Sequence, residues 1–319
     1  MSNLAPALLS ALAILQAGPA TTPPPNPSEG NTVESLVVTA PAKTDKEQIT
    51  SFVSSVTATG SDKRVGRWDR KICPGVIGLK PAYAQVLLDR IAANAQAVGL
   101  EVGKPGCKAD ILIVASADTD ALVRQAVKDN PDTFAKYEDG VSRGKKALQA
   151  FIDSQAPVRW WHVSSRKLSD GQTYVQGANV RVRSVGRVNA NTRVDFDHVV
   201  IVLDARRVGV VRFSALADYV AMVSLAQINP DADTKGVSSI LNLFTDKAAG
   251  VEPVEGMTDW DRAYLRGLYT ARRDVRRGDR QEADVARSMG TTLAPPPKPE
   301  PKDEAEPKSE REKPDRSGR

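Results

Sequence analysis

The chain has 319 residues, with 44 Lys and Arg against 39 Asp and Glu for a formal net charge of +5, and it is 41% hydrophobic. That charge is too mild to indicate nucleic-acid binding by itself, and the apolar content is ordinary for a globular protein. The 21 prolines cluster outside the middle, so the ordered part is expected to be one body of roughly 230 residues, or two small ones, between unstructured ends.

Met1 to Ala20, MSNLAPALLSALAILQAGPA, carries an apolar run of signal-peptide length that ends in the small residues Ala17, Gly18, Pro19 and Ala20. Residues 1–20 therefore read as a signal peptide, with a frayed N-terminal helix as the alternative because no Lys or Arg precedes the run. Pro6 interrupts it, and it falls short of the roughly 20 apolar residues a membrane span needs. The expected location is periplasmic or secreted, with no transmembrane segment after cleavage. Residues 21–64 follow as a linker that opens with the proline-rich TTPPPNPSEGNT. Inside it lies VESLVVTAPAKT, β-prone at Val33, Leu36, Val37 and Val38 and closed by Pro41. This run resembles the Ton box, the energy-coupling peptide of TonB-dependent outer-membrane receptors. No transmembrane barrel follows, so a receptor is excluded. The resemblance implies donation of a strand from Val33 to Ala40 to a periplasmic partner; a local strand or plain tether is the alternative.

A globular α+β domain is expected over residues 65–290, a mixed sheet packed with helices. Its first elements come from RWDRKICPGVIGL and a helix opened by Pro81, with Val86, Leu87, Ile91 and Ala95 at helical spacing and an end near Gly99. DILIVAS, Asp110 to Ser116, is a buried strand, and a helix capped by Asp118 or Thr119 follows it. A helix from Ser142 to Ser154, a strand from Val158 to Arg166, a half-wet strand from Val180 to Val185 and an apolar strand from Val199 to Leu203 come next, with a hairpin near Asn189 to Thr192. Cys73 and Cys107 are what an exported chain would use for one bridge, against the alternative of two buried thiols. Closing a loop of that length would stabilise the fold by roughly 3 to 4 kcal/mol.

Ser214 to Gln227 is apolar almost all round, the signature of a buried helix. Thr258 opens another, with Asp261 three residues on as a capping box and Trp260, Ala263, Tyr264, Leu268 and Ala271 as its core stripe. Arg262, Arg266 and Arg273 are expected on its opposite face, and Gly267 beside the stripe permits a close backbone approach. Residues 291–319 form a charged tail with almost nothing to bury.

The buried helix carries the functional question. Zinc proteases set HExxH on such a helix because histidines one turn apart converge on one metal while the Glu activates water. Here Ala217, Asp218, Tyr219, Val220 and Ala221 fill those positions. Ser224 stands at the metzincin glycine, Gln227 at its third histidine and SSILN at the later turn. FSALADYVAMVSLAQINPDAD, SSILNLF and MTDWDRAYLRGLY together resemble exported alphaproteobacterial proteins with degenerate zincin-like (metzincin-type) domains, a resemblance that covers residues 213–270. It implies a zincin-like fold in the C-terminal half without the metal ligands. Asp218 is then either a catalytic relic or a helix-start carboxylate neutralised by Arg212 or Arg262.

Only two histidines exist, His162 and His198, both outside this helix; a metal held by them with Asp195, Asp197 or Asp218 is the weaker alternative. No GxSxG or GxGxxG is present, and GVSRGKK departs from a phosphate loop in having one residue too few between its glycines and in lacking the Ser or Thr that would hold magnesium. Arg272, Arg273, Arg276 and Arg277 form the strongest cationic run, a possible anion-binding patch or a solvated helix end, with no aromatics interleaved for base stacking. The expectation is an exported non-catalytic binding or structural protein without a cofactor, meeting an envelope protein or acidic surface. The alternative is a metal-dependent peptidase with an atypical site.

Overall fold

The computed structural model describes residues 45–60, 64–134, 143–172, 174, 190–209 and 211–294. The expected signal peptide, the Ton-box-like run, the strand from Val180 to Val185 and residues 295–319 of the tail lie outside them. The architecture is α+β, built on one mixed sheet.

Order begins earlier than the composition implies. Helix α1 (Asp45–Val56) lies in the stretch read as linker, and its Ile49, Phe52, Val53 and Val56 are all buried. That spacing, one apolar residue every three or four, is what a core-facing helix needs. Phe52 meets Trp260 and Tyr264 edge to face at 5.5 and 6.0 Å, so the linker reading is corrected: α1 is part of the main core.

The sheet comprises β1 (Pro74–Ile77), β2 (Ile111–Ser116), β3 (Val158–Leu168) and β4 (Thr192–Asp204), ordered β1-β2-β4-β3. Its first three strands are parallel and β3 runs antiparallel at the edge. The long apolar run of β2 suits a central strand flanked by β1 and β4, with Ile111 and Ile113 buried on the main-core face and Leu112 and Val114 half-buried on the other. Between β1 and β2 the chain crosses over through α2 (Pro81–Ala97), which starts at its proline and packs on the main-core face. α3 (Thr119–Asp129), capped by Asp118, α4 (Pro131–Phe134) and α5 (Gly144–Asp153) supply the opposite face. Val123, Phe134, Leu148 and Phe151 there enclose Trp161, Val163, Val200 and Val202. At the carboxyl ends of the strands, Arg207 and Arg159 hold the Asp120 carboxyl well below the usual carboxylate range.

The C-terminal third adds α6 (Phe213–Leu225), a short 3₁₀ turn (Ile240–Asn242), α7 (Leu243–Ala248), α8 (Asp259–Thr270) and α9 (Gly278–Leu293). The expected capping box is present: Thr258 accepts from the Asp261 backbone, and Asp261 answers the Thr258 N–H. α9 was not legible, because Val285 and Met289 are its only buried large apolar residues. It crosses α8 at Gly267, where an added Cβ would stand 2.9 Å from the Val285 carbonyl oxygen, so the close approach foreseen there does occur.

Cys73 and Cys107 form a disulfide with Cα atoms 6.1 Å apart, closing a loop of sequence separation 34 at the amino end of β1. The Cys73→Ser/Cys107→Ser variant is expected to unfold at lower urea, with about 3 to 4 kcal/mol lost. Equal midpoints for the variant and the oxidised wild type would refute a stabilising role.

Candidate functional site

Every side chain of α6 from Ala215 to Leu225 is buried, because the helix lies between the sheet, α2 and the α7–α8 segment. Ala217 and Ala221, the two positions of the missing imidazoles, have no exposed surface at all. Both belong to the packed main core. At this density an apolar interior has no room for two imidazoles, an ion and a water.

Asp218 sits between them in the chain at 2% exposure. Its Oδ2 accepts from the Met257 N–H at 3.0 Å and from Arg90 Nη1 at 3.4 Å, while Oδ1 lies 3.5 Å from Asn94 Nδ2. Gly256 presses against it so closely that a Cβ there would be 2.6 Å from Oδ2. The carboxylate thus fastens the 256–257 loop and α2 onto α6. Its cationic partner corrects the sequence reading, for Arg212 pairs with Glu255 and Arg262 with Asp259, both away from it.

The remaining metzincin-like positions are structural as well. Ser224 Oγ donates to the Val220 carbonyl at 2.7 Å, and Gln227 Oε1 accepts from Gly66 N–H at 3.3 Å. In SSILN, Ser239 donates to Asp261 at 2.6 Å and Asn242 Nδ2 donates to the Val237 carbonyl at 2.8 Å.

The end of α6 shows a feature that the sequence hid. The last carbonyls of a helix have no partner within it, and burying them unpaired is expensive. Here Val223, Ser224 and Leu225 receive side-chain donors: His162 Nε2–H at 2.9 Å, Trp68 Nε1–H at 2.9 Å and the Tyr269 hydroxyl at 2.8 Å. Trp160 Nε1–H reaches the Ile228 carbonyl just beyond, at 3.0 Å. Three distant segments therefore stopper one helix end.

His162 is consequently a neutral donor, and burial pulls its pKa down to about 3. An unfolded imidazole protonates near its ordinary 6.5, whereas the folded one resists until about 3, so stability is full above pH 6.5 and is lost as pH falls toward 3. About 2 to 3 kcal/mol should disappear between pH 7 and about pH 4.5, and His162→Gln should flatten that limb of a urea-midpoint titration. An unchanged acid limb in the variant would show that carboxylates alone cause the loss.

His198 cannot join His162. The β3–β4 register pairs His162 with Val199 and Val163 with His198, then shifts so that Ser164 meets Phe196. His162 reaches α6 on one face, while His198 Nε2 bonds the Thr133 carbonyl in α4 on the other at 2.8 Å. Asp197 accepts from Ser165 at 2.9 Å and Asp195 pairs with Arg193 at 3.2 Å. Among the described residues no group of three or more His, Cys, Asp or Glu is placed to hold a metal ion, and the weaker metal alternative is corrected accordingly.

The arginine run is likewise engaged within the chain. α8 ends at Thr270, so Arg272 to Arg277 form the turn into α9 and not a helix end. Arg272 binds Asp284 at 2.9 Å, Arg277 pairs with Asp279, and Arg276 also has a partner. Arg273 turns inward, where it and Arg193 each pair with both Asp69 and Asp195 to close a ring of four charges. Burial, and then Arg67, pull its guanidinium down to about 10. Of the four arginines read as an anion-binding patch, Arg273 is thus drawn into an internal charge cluster, while Arg272 and Arg277 stay exposed beside Asp284 and Asp279 and Arg276 stays exposed as well.

No family model, no curated protein and no solved structure matches the chain.

Proposed function

We propose that the chain is an exported, non-catalytic binding or structural component of the periplasm or outer envelope, built on a degenerate zincin-like arrangement. The observation that carries the reading is the complete burial of Ala217 and Ala221 with Asp218 fixed between them by Met257, Arg90 and Asn94. A hydrolytic zinc needs about three converging ligands and an open position for water, and a filled core offers neither. The mixed sheet with a buried helix packed on it is compatible with a zincin-like ancestry, in which the helix was retained for packing. A disulfide supports an oxidising compartment. No helix among the described residues is long and apolar enough to cross a membrane.

Elemental analysis of the purified protein, together with a peptidase assay in added zinc, tests the reading. Sub-stoichiometric metal, no cleavage and a chelator-insensitive melting temperature are expected. One tightly held zinc per chain that is lost in His162→Ala or His198→Ala, with peptide cleavage, would overturn it in favour of a metal-dependent peptidase.

A further inference from the structure

Among the described residues four large apolar side chains are exposed, and three of them, Ile77, Tyr83 and Val86, lie on the two arms of a single turn, the one that joins β1 to α2. Ile77 is 58% exposed at the end of β1, and Gly78, Lys80, Pro81, Ala82 and Tyr83 follow it into solvent with only Leu79 half-buried. Exposure on both arms means that the turn projects from the body. Ala82 and Tyr83 stand four and three positions before Val86, so all three share one face of the first two turns of α2. The projection is also fixed in place. The backbone at Gly78 lies too close to the Ala115 carbonyl for a Cβ to fit, and the Tyr83 ring meets Phe213 edge to face at 4.9 Å. Apolar residues scattered singly over a surface are ordinary, whereas a cluster on one anchored projection calls for an occupant. The charge around it has one sign. No acidic residue occurs between Asp69 and Asp89, and Lys80, at the tip, pairs with no carboxylate among the described residues. The neighbouring Arg212 is by contrast matched by Glu255.

We infer that the turn formed by residues 77–86 docks the protein onto an anionic lipid surface, with Ile77, Tyr83 and Val86 entering the interface and Lys80 meeting headgroup phosphates. This gives the envelope role proposed above a location and a partner, and so rests on that reading. Area decides between a lipid and a protein occupant. A specific protein interface buries about 800 Å² on each side, far more than the few side chains of one projecting turn supply. A bilayer needs no such complementary surface, because headgroups and acyl chains close around each side chain that enters to a depth of about 5 to 10 Å. The residue types agree. Tyrosine settles at the headgroup level with its hydroxyl in water, and a lysine buries its stem while its ammonium stays among the phosphates. An unpaired Lys80 with no carboxylate near it in the chain selects negatively charged lipid over neutral lipid. With three apolar side chains and one cation the contact is weak and reversible, an orienting contact and not an anchor.

The test floats the full chain with vesicles of phosphatidylglycerol and phosphatidylcholine in equal parts, and with vesicles of phosphatidylcholine alone, and reads hydrogen exchange on the bound protein. Stronger flotation with the anionic vesicles is expected, with exchange protection at residues 77–86. Affinity should fall about fivefold in Lys80→Ala and about tenfold in the Ile77→Ser/Val86→Ser pair. Val251→Ser is the control, since Val251 is 55% exposed outside the turn, and it should bind like the wild type. All the substituted side chains are exposed, so melting temperatures should not move. No flotation at millimolar lipid, flotation without protection at 77–86, equal binding to neutral vesicles, or the same loss in Val251→Ser overturns the inference. So does a concentration-dependent dimer that the Ile77→Ser/Val86→Ser pair abolishes, which would assign the turn to a second copy. Metal content measured on the same preparations separates failure of this surface from failure of the non-catalytic reading.

Discussion

Replacing Ala221 with histidine is expected to destabilise the protein by about 3 to 5 kcal/mol and to recruit no zinc. Overpacking a filled core costs about 1 to 3 kcal/mol, and an imidazole buried without a hydrogen-bond partner costs a similar amount again. Ala217→His should behave alike, since both positions have zero exposure. The pair of substitutions should drop the urea midpoint further without any metal-dependent recovery. A double variant that keeps the wild-type midpoint and binds one zinc would reveal space beside α6 and reopen the peptidase reading.

Asp261→Ala should cost about 3 to 5 kcal/mol, because one wholly buried carboxylate serves several donors at once. Oδ1 accepts from Ser239 Oγ at 2.6 Å; Oδ2 accepts from the Ile240 and Thr258 N–H groups and from Thr258 Oγ, each at 2.8 Å. Truncation takes this acceptor from the Ser239 hydroxyl and from the Ile240 and Thr258 N–H groups at the start of the 3₁₀ turn and of α8, while the Thr258 hydroxyl keeps the Ser238 carbonyl at 2.8 Å. Asp261→Asn keeps an acceptor and should lose about half as much, so urea denaturation of the two variants separates lost hydrogen bonding from lost charge. Equal effects would mean that the carboxylate acts through its charge alone.

Local signals made the expected elements readable. The uninterrupted DILIVAS announced β2, and Thr258 with Asp261 announced α8, because an apolar strand run and a capping box are written in adjacent residues. What escaped depends on residues far apart in the chain. α1 carries a plain helical stripe, but it adjoins a proline-rich stretch whose composition masked it. The arginines after α8 resembled a cationic surface because the carboxylate that engages Arg273, on Asp69, lies 204 positions away. The separation of His162 from His198 rests on the register shift after Val163, which no sequence pattern encodes. The aromatic donors at the end of α6 are similarly tertiary: Trp68 and Tyr269 stand 156 and 44 residues from the carbonyls they serve.

The contact between α1 and α9 governs how such a chain can be made. Ile49 lies against α9 near Gly290, and Gln281 receives the Val65 N–H at 3.0 Å, so the earliest described helix completes its burial only against the latest. A ribosome releasing this polypeptide from its amino end must therefore leave Phe52, Val53 and Val56 without their native neighbours until almost all of it has emerged. Acquisition of the native state is postponed by its own wiring and slowed by the distance between the elements that must meet. Under the export proposed above, that delay would keep the polypeptide fit to cross a membrane as an unstructured thread.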